Sequence, residues 1–136
     1  MMNTRVIALL GLINEKNEVL ISLRKNRTDY NDYWEYPGGK VESGETTDRA
    51  LVREIKEEID LDISSNCVAP LTFTVAHDEI SQTILLLHVC RKWQGSPQSR
   101  LGQRIEWVRP VNLIQYKMPK PNSFLNSMLR DWVATP

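Results

Sequence analysis

The chain of 136 residues has little of several features that assign a protein to a class at once. It has two cysteines and no C-x-x-C pair, so neither a disulfide framework nor a zinc site is indicated. Apolar runs such as residues 84–87 are far shorter than the roughly 18 residues of a membrane span. Basic and acidic residues balance at 17 each, so no net charge favours duplex nucleic acid or a membrane surface. We therefore expect one domain over residues 1–136, in the cytoplasm, with two buried thiols.

The apolar pattern predicts a mixed β-sheet with helices on both sides. Strands are expected at residues 5–13, 18–24, 67–76, 81–93 and 104–108, with the first two paired as a hairpin across a turn at 14–17. Loops are expected at residues 25–32 and 94–102, and an abrupt turn at 37–39. This order of elements is typical of an α/β fold with a central sheet.

Two helices are expected. Thr46 or Thr47 can cap the first, whose apolar stripe is Ala50, Leu51, Ile55 and Ile59. Asn122 or Ser123 can cap the second, whose apolar positions are Phe124, Leu125, Met128, Leu129 and Trp132.

Three carboxylates stand out on the first predicted helix, at Glu54, Glu57 and Glu58. Their i, i+3, i+4 spacing places them on one face, where like charges cost a few tenths of a kcal/mol per pair, roughly. An isolated acidic run is most often a solvated face. Here a glycine turn, Gly38-Gly39, precedes the run, and a hard cation such as Mg²⁺ prefers carboxylates together with substrate phosphates. The sequence therefore predicts a Mg²⁺ site for a phosphate-bearing substrate.

The full spacing of this segment resembles the signature of the Nudix hydrolases, G-x5-E-x7-R-E-U-x-E-E-x-G-U with U aliphatic. Eight of its nine fixed positions match over residues 39–61, and the exception is Asp60, where the family has glycine. Further tracts at residues 34–40, 93–95, 105–108 and 119–122 are similar to the MutT-type subgroup, which removes pyrophosphate from nucleoside triphosphates, oxidised ones included. The resemblance implies an α/β/α sandwich around a mixed sheet.

The resemblance also implies roles for individual residues. Mg²⁺ or Mn²⁺ would be held by the Gly38 carbonyl, Glu54, Glu57 and Glu58, one of these glutamates would activate the attacking water, and Arg53 would steer the glutamates or the phosphates. Glu45 would support the loop. The substrate would be contacted by Arg24, Tyr36, Gly39, Lys40 and Asn122, with Asn122 reading the base. Asn122 as a plain helix cap is the alternative.

Two departures from the family pattern bear on this expectation. Residues 94–104 contain no acidic residue, whereas many relatives carry a glutamate there. The catalytic base is therefore expected from the helix, with Glu106 as the alternative. Asp60 at a left-handed helix end is expected to cost about 1 kcal/mol and to alter that end slightly.

Three readings of the function remain open. The first is a metal-dependent hydrolase of nucleoside triphosphates, with 8-oxo-dGTP as a candidate, that acts on a small nucleotide as monomer or homodimer. The second is the same chemistry on ADP-ribose, CTP-like pyrimidines or a dinucleotide, because the signature handles the diphosphate and not the base. The third is a Nudix-like module that senses a nucleotide without turnover.

Overall fold

The computed structural model describes residues 2–25 and 28–135, so residues 26 and 27 of the predicted 25–32 loop lie outside the described residues. The described residues form seven strands and two α-helices, with short 3₁₀ helices at Ser65–Cys67 and Pro110–Gln115. The strands are β1 (Asn3–Leu12), β2 (Val19–Leu23), β3 (Trp34–Glu35), β4 (Gly38–Lys40), β5 (Ala69–His77), β6 (Ser81–Cys90) and β7 (Ile105–Val108). The helices are α1 (Thr47–Ile59) and α2 (Asn122–Ala134).

The strand β1 lies inside a mixed four-stranded sheet of order β4-β1-β6-β5. It runs parallel to β6 along its whole length and antiparallel to β4 through the pair Leu9 and Gly38. The strands β3, β2 and β7 form a second, antiparallel sheet. The predicted mixed sheet is confirmed, but the seven described strands divide between this sheet and a second, antiparallel one.

The predicted hairpin between the first two strands is wrong. The turn at residues 14–17 forms, and the Asn14 side chain accepts hydrogen bonds from the amides of Lys16 and Glu18. Beyond the turn, a single bridge between Ile13 and Val19 joins the two strands over the described residues. Both edges of β1 are occupied by β4 and β6, so β2 pairs with β3 and β7 instead.

The two helices cover opposite faces of the sheets. All four predicted stripe residues of α1 are buried, and Leu51, Ile55 and Ile59 pack in one apolar cluster with residues of the sheets that include Leu10 and Leu20. From α2, Leu125 and Leu129 pack into a second cluster with Ile21. Truncating one of these buried aliphatic side chains to alanine costs about 2–5 kcal/mol. The α/β/α arrangement is thereby confirmed.

Some side chains depart from the predicted burial. Phe124 on α2 is 49% exposed, because the buried residues of that helix are Asn122, Leu125 and Leu129, which form a narrower stripe than predicted. Cys90 is buried and Cys67 only partly so, and both are free thiols. Across residues 2–25 and 28–135, no helix is long and apolar enough to cross a membrane.

Candidate active site

The glycine pair predicted as a tight turn lies in β4, at the edge of the four-stranded sheet. Gly38 has a φ of +145°, and a Cβ there would collide with the backbone of Ala8 and Leu9 in β1. A Cβ on Gly39 would lie 2.5 Å from the Glu54 carboxyl carbon. Both positions therefore need glycine. At Gly38 a side chain would collide with the backbone of β1, and at Gly39 it would occupy the place of the Glu54 carboxylate.

Two of the three predicted glutamates face this strand. The Glu54 carboxylate lies against Gly39, and a Glu58 carboxylate oxygen accepts the Gly38 amide hydrogen bond at 3.0 Å. The Glu57 side chain is more exposed, at 62% of its surface. The convergence predicted for three carboxylates is thus seen for two, because residues 54 and 58 are one helical turn apart on the side facing β4 whereas residue 57 is rotated toward solvent.

Arg53 holds the acidic groups in place. Its guanidinium donates to both Glu45 carboxylate oxygens at 2.7 and 2.9 Å, and to Glu54 at 2.8 Å. It also donates to the Lys40 carbonyl at 3.2 Å, whereas Glu57 is 3.7 Å away. Arginine suits this place because its planar fork binds a carboxylate through two parallel hydrogen bonds. The guanidinium thus ties the loop before α1, the helix and β4 together.

Glu45 is a supporting residue by its contacts. One of its carboxylate oxygens also accepts the Glu42 amide at 2.9 Å, which closes the loop before α1. Its hydrogen bonds with Arg53, and then that with Glu42, lower the pKa of Glu45 from 4.5 to about 2. A depressed carboxyl pKa stabilises the fold above the unfolded value, and the stabilisation is lost as pH falls through the folded value.

We predict that Glu45→Gln removes part of the acid sensitivity of the fold. The wild-type protein should lose the Glu45 contribution between pH 4.5 and about 2, since that interval separates the ordinary from the shifted pKa. Urea unfolding at pH 7 and pH 3 measures it: the fall in unfolding free energy should be smaller in the variant. Glu79→Gln, in the exposed loop between β5 and β6, is the control. An equal fall in Glu45→Gln and wild type contradicts the assignment.

The end of α1 keeps left-handed geometry at Asp60, with φ 57° and ψ 38°. The aspartate that replaces the glycine of the signature is paired with Arg100 at 2.7 Å and Lys56 at 3.2 Å. Arg100 comes from the loop that precedes β7. The altered helix end expected from the sequence is therefore a normal left-handed cap with an added ion pair.

The residues predicted to contact a nucleotide base do not form one hydrogen-bonded group within the described part of the chain. Arg24 donates to Glu35 at 2.7 Å and to Asp29 at 3.1 Å. Tyr36 is 1% exposed, and its hydroxyl donates to Asn126 at 2.6 Å. Burial raises the pKa of this hydroxyl. A ring in that position has no face open to a base, so Tyr36 is a core residue in this structure.

Asn122 lies at the first position of α2 and is 4% exposed. The cap position is taken by Pro121, and no side-chain cap hydrogen bond forms, so the plain helix-cap alternative for Asn122 is wrong. The backbone N–H of Asn122 donates to the Pro119 carbonyl at 2.9 Å, and this hydrogen bond fixes the turn that leads into the helix. Lys40 has an exposed side chain at the end of β4.

Comparison with known proteins identifies a family whose match includes the residues described above. Residues 2–131 match the NUDIX domain. The chain belongs to the Nudix family. It is 32% identical over 115 residues to the 8-oxo-dGTP diphosphatase of Escherichia coli K12, covering 83% of this chain and 87% of that protein. It is 29% identical over 111 residues to the CTP pyrophosphohydrolase of the same organism, covering 79% and 78%.

The fold comparison agrees with the sequence comparison. A solved MutT structure, from work on the Aliivibrio salmonicida and Vibrio cholerae proteins, superposes with a TM-score of 0.82 at 26% identity and covers 96% of this chain and 99% of that one. The predicted Nudix fold is confirmed.

The Nudix segment fits a hard divalent cation, the kind of ion that this family generally uses. The oxygen atoms available to such an ion are the carboxylates of Glu54 and Glu58, which lie against Gly39 and Gly38 of β4, and the more exposed carboxylate of Glu57. Over the described residues, no three His, Cys, Asp or Glu side chains already form a closed metal-holding group. Hard cations of the Mg²⁺ kind are usually held by one or two carboxylates together with water and substrate phosphates. The Gly39 position supports the fit, since it reserves space for the Glu54 carboxylate.

Several partners of these Nudix residues were missed by the sequence reasoning. Glu35 of β3 pairs with Arg24 at 2.7 Å, a contact that follows from the pairing of β3 with β2. Arg100, in the 94–102 segment predicted as a loop, contacts Asp60 at 2.7 Å. Charged pairs separated by many residues leave no periodic pattern, so such contacts appear only in three dimensions.

A cleft of about 340 Å³ beside α2 contains none of the predicted site residues. Its lining includes Pro119, Asn126 and Arg130. We do not place the nucleotide there.

Proposed function

We propose that this chain is a Mg²⁺- or Mn²⁺-dependent pyrophosphohydrolase that cleaves a nucleoside triphosphate to a nucleoside monophosphate and pyrophosphate. 8-oxo-dGTP is the candidate substrate, because the E. coli relative of which this chain covers 87% is an 8-oxo-dGTP diphosphatase. The observation that carries the proposal is the placement of Glu54 and Glu58 against Gly39 and Gly38 of β4.

The acidic residues of α1 have separate tasks in this proposal. Glu54 and Glu58 present oxygen donors at the strand edge, and Arg53 fixes the direction of the Glu54 carboxylate. When bound, the divalent cation neutralises phosphate charge and lowers the pKa of its bound water. Glu45 holds Arg53 in turn, so a chain of three side chains sets the position of the donors.

Glu57 is our candidate for the catalytic base. Its side chain is 62% exposed, and its one ion-pair distance to Arg53 is long, at 3.7 Å. It is therefore less constrained than Glu54 and can take a proton from water near the phosphates. In the reaction, the water gives a proton to Glu57 and its oxygen forms a bond to one of the two phosphorus atoms joined by the α,β-bridging oxygen. The bond between that phosphorus and the bridging oxygen breaks, and nucleoside monophosphate and pyrophosphate are the products.

Glu106 is less well placed for that task. It lies on β7 opposite Ile21, whose side chain packs in the cluster under α2, whereas its neighbour Trp107 packs in the cluster under α1. Its carboxylate accepts hydrogen bonds from Arg104 at 2.6 Å and from Tyr116 at 2.9 Å. The hydrogen bond to Glu106 also raises the pKa of the Tyr116 hydroxyl. These contacts give Glu106 a structural role on the face away from α1.

The identity of the nucleotide base that the site selects is the finer part of the proposal. We propose that Asn122 reads the nucleotide base, because its side-chain amide offers one acceptor and two donors and its backbone N–H is held by the Pro119 carbonyl. Asn122 is 4% exposed, so its side chain would have to turn toward the nucleotide on binding. Arg24 would have to exchange its bond to Glu35 for one to the nucleotide. The CTP pyrophosphohydrolase relative favours a pyrimidine nucleotide as the second candidate.

We predict that Asn122→Ala flattens base selection. Loss of a buried polar contact to the substrate should cost roughly 1–3 kcal/mol in kcat/KM, mostly through KM, because the phosphates bind apart from the base. The measurement is kcat/KM for 8-oxo-dGTP, dGTP, CTP and ADP-ribose in wild type and variant, with pyrophosphate and phosphate release assayed. Asn126→Ala, which removes the partner of the Tyr36 hydroxyl, is the matched amide control.

The outcomes separate the candidates. A wild-type preference for 8-oxo-dGTP over dGTP that Asn122→Ala reduces supports both parts of the proposal. A wild-type ratio near one removes the oxidised-guanine assignment, and a larger kcat/KM for CTP favours the pyrimidine candidate. An unchanged ratio in the variant removes Asn122 from base recognition. Binding of every nucleotide without release of product would make the chain a sensor and contradict the enzyme assignment.

A further inference from the structure

The segment 94–104, which lacks any acidic residue, is packed against the C-terminal end of α1. The Gln98 amide donates to the Ile59 carbonyl at 2.9 Å, and the Arg100 amide donates to the Glu58 carbonyl at 3.0 Å. The last carbonyls of a helix have no partner within the helix, so a segment that supplies donors is fixed to that end. Beyond it, Asp62 and Gln94 form a two-bond bridge.

A side-chain ion pair reinforces these backbone contacts. The Arg100 guanidinium is 2.7 Å from the Asp60 carboxylate, and Lys56 is 3.2 Å from the same oxygen. Asp60 holds the left-handed position that a glycine occupies most easily. An aspartate at this position strains the backbone, and it supplies the negative charge that pairs with Arg100 and Lys56.

Arg100, one member of this ion pair, also contacts Glu58 through its backbone. The carbonyl of Glu58 is held by the Arg100 amide, and its carboxylate is held by the Gly38 amide. One residue of the site is thus fixed at its backbone by the 94–104 segment and at its side chain by β4. Any shift of the segment moves the last turn of α1 and therefore changes the direction of the Glu58 carboxylate.

We propose that the Asp60–Arg100 ion pair is a positioning device that fixes the segment 94–104 on α1 and so sets the metal-binding orientation of Glu58. The proposal rests on the proposed function only in assigning Glu58 to the metal site. The segment then contributes to the site through a basic residue and the helix end instead of through an acidic ligand. Both side chains of the pair are partly exposed, so the pair contributes little to global stability.

The experiment compares four variants with wild type and with a control. Asp60→Asn keeps the shape and the tolerance of left-handed backbone but removes the charge. Asp60→Gly relieves the backbone and also removes the charge. Arg100→Gln and the double variant Asp60→Asn/Arg100→Gln complete a double-mutant cycle. Arg130→Gln, which removes an exposed arginine paired with Asp131 on α2, is the control.

Three quantities are measured: the dissociation constant of Mn²⁺ without nucleotide, by calorimetry; amide hydrogen exchange of residues 98–100; and the melting temperature. Each single variant at position 60 or 100 is expected to weaken Mn²⁺ binding roughly tenfold, as loss of a group that orients a ligand does. Exchange at residues 98–100 should accelerate. The double variant should lose no more than Asp60→Asn alone, because Asp60→Asn already breaks the pair with Arg100 together with the pair to Lys56.

Asp60→Gly distinguishes positioning from a merely structural role. Its melting temperature should stay within about 4 °C of wild type, because the ion pair is exposed, while its Mn²⁺ affinity falls as in Asp60→Asn. Mn²⁺ affinity equal to wild type in all three single variants would overturn the proposal, as would additive losses in the double variant. If wild type neither binds Mn²⁺ nor hydrolyses nucleotides, the proposed function fails with it. If wild type does both and the variants match it, only the positioning role fails.

Discussion

Replacing Glu54, Glu57 or Glu58 by glutamine is expected to lower kcat for nucleotide hydrolysis by at least about a hundredfold in each case. Glutamine keeps the size and the hydrogen-bonding reach of the side chain but removes the negative charge that a cation requires. For Glu57 it also removes the group that can take a proton. Steady-state kinetics with saturating Mg²⁺, with released pyrophosphate as the readout, measures the loss.

The controls for this series are two other glutamates. Glu79→Gln, in an exposed loop, should retain wild-type kcat. Glu106→Gln should have a modest effect, since its carboxylate is engaged by Arg104 and Tyr116. A loss in Glu106→Gln as large as that in Glu57→Gln would move the base assignment to β7. Full activity in all three helix variants would place the site elsewhere.

A single methyl group at position 39 is expected to reduce kcat about a hundredfold while the fold is retained. In Gly39→Ala the new Cβ would lie 2.5 Å from the Glu54 carboxyl carbon, so the carboxylate has to leave its place against β4. The colliding atoms belong to the end of a flexible side chain, and the displacement is therefore relieved by moving Glu54. A misplacement of about 1 Å in a catalytic arrangement can cost a factor of about 10².

Gly44→Ala is the matched control for this change. Its Cβ would meet nothing within 4 Å, but its φ of +83° makes alanine strained there. This variant should therefore lose stability and keep most of its kcat, which is the reverse of Gly39→Ala. The melting temperature and kcat of both variants test the pair. Equal kcat in Gly39→Ala and wild type would show that Glu54 does not need its observed position.

The local patterns of the sequence were sufficient for α1 and for the spacing of its acidic residues. The apolar stripe of α1 repeats at helical intervals, so its buried face followed from the residues alone. The strand at residues 5–13 was predicted for a similar reason, since its apolar residues run nearly without interruption, and β1 lies inside the four-stranded sheet. Patterns of this kind depend on neighbours within one element.

The remaining features depend on contacts between distant residues. The pairing of β2 with β7 instead of β1 is decided by which strand edges are already occupied, and no local pattern records that. The burial of Tyr36 depends on Asn126 in α2, and the exposure of Glu57 on the rotation of α1 against β4. The Arg100 contact with Asp60 joins residues forty positions apart. These features required the tertiary structure.

The identity of the products in the presence and absence of a divalent cation tests the central claim most directly. Purified protein is incubated with 8-oxo-dGTP, dGTP and CTP and with Mg²⁺, or with Mg²⁺ and excess chelator, and the nucleotide and phosphate products are separated and quantified. The account predicts nucleoside monophosphate and pyrophosphate in equal amounts with Mg²⁺, no product with chelator, and product formation at least about a hundredfold slower with Glu58→Gln. Release of inorganic phosphate with nucleoside diphosphate, or undiminished turnover under chelation, would contradict it.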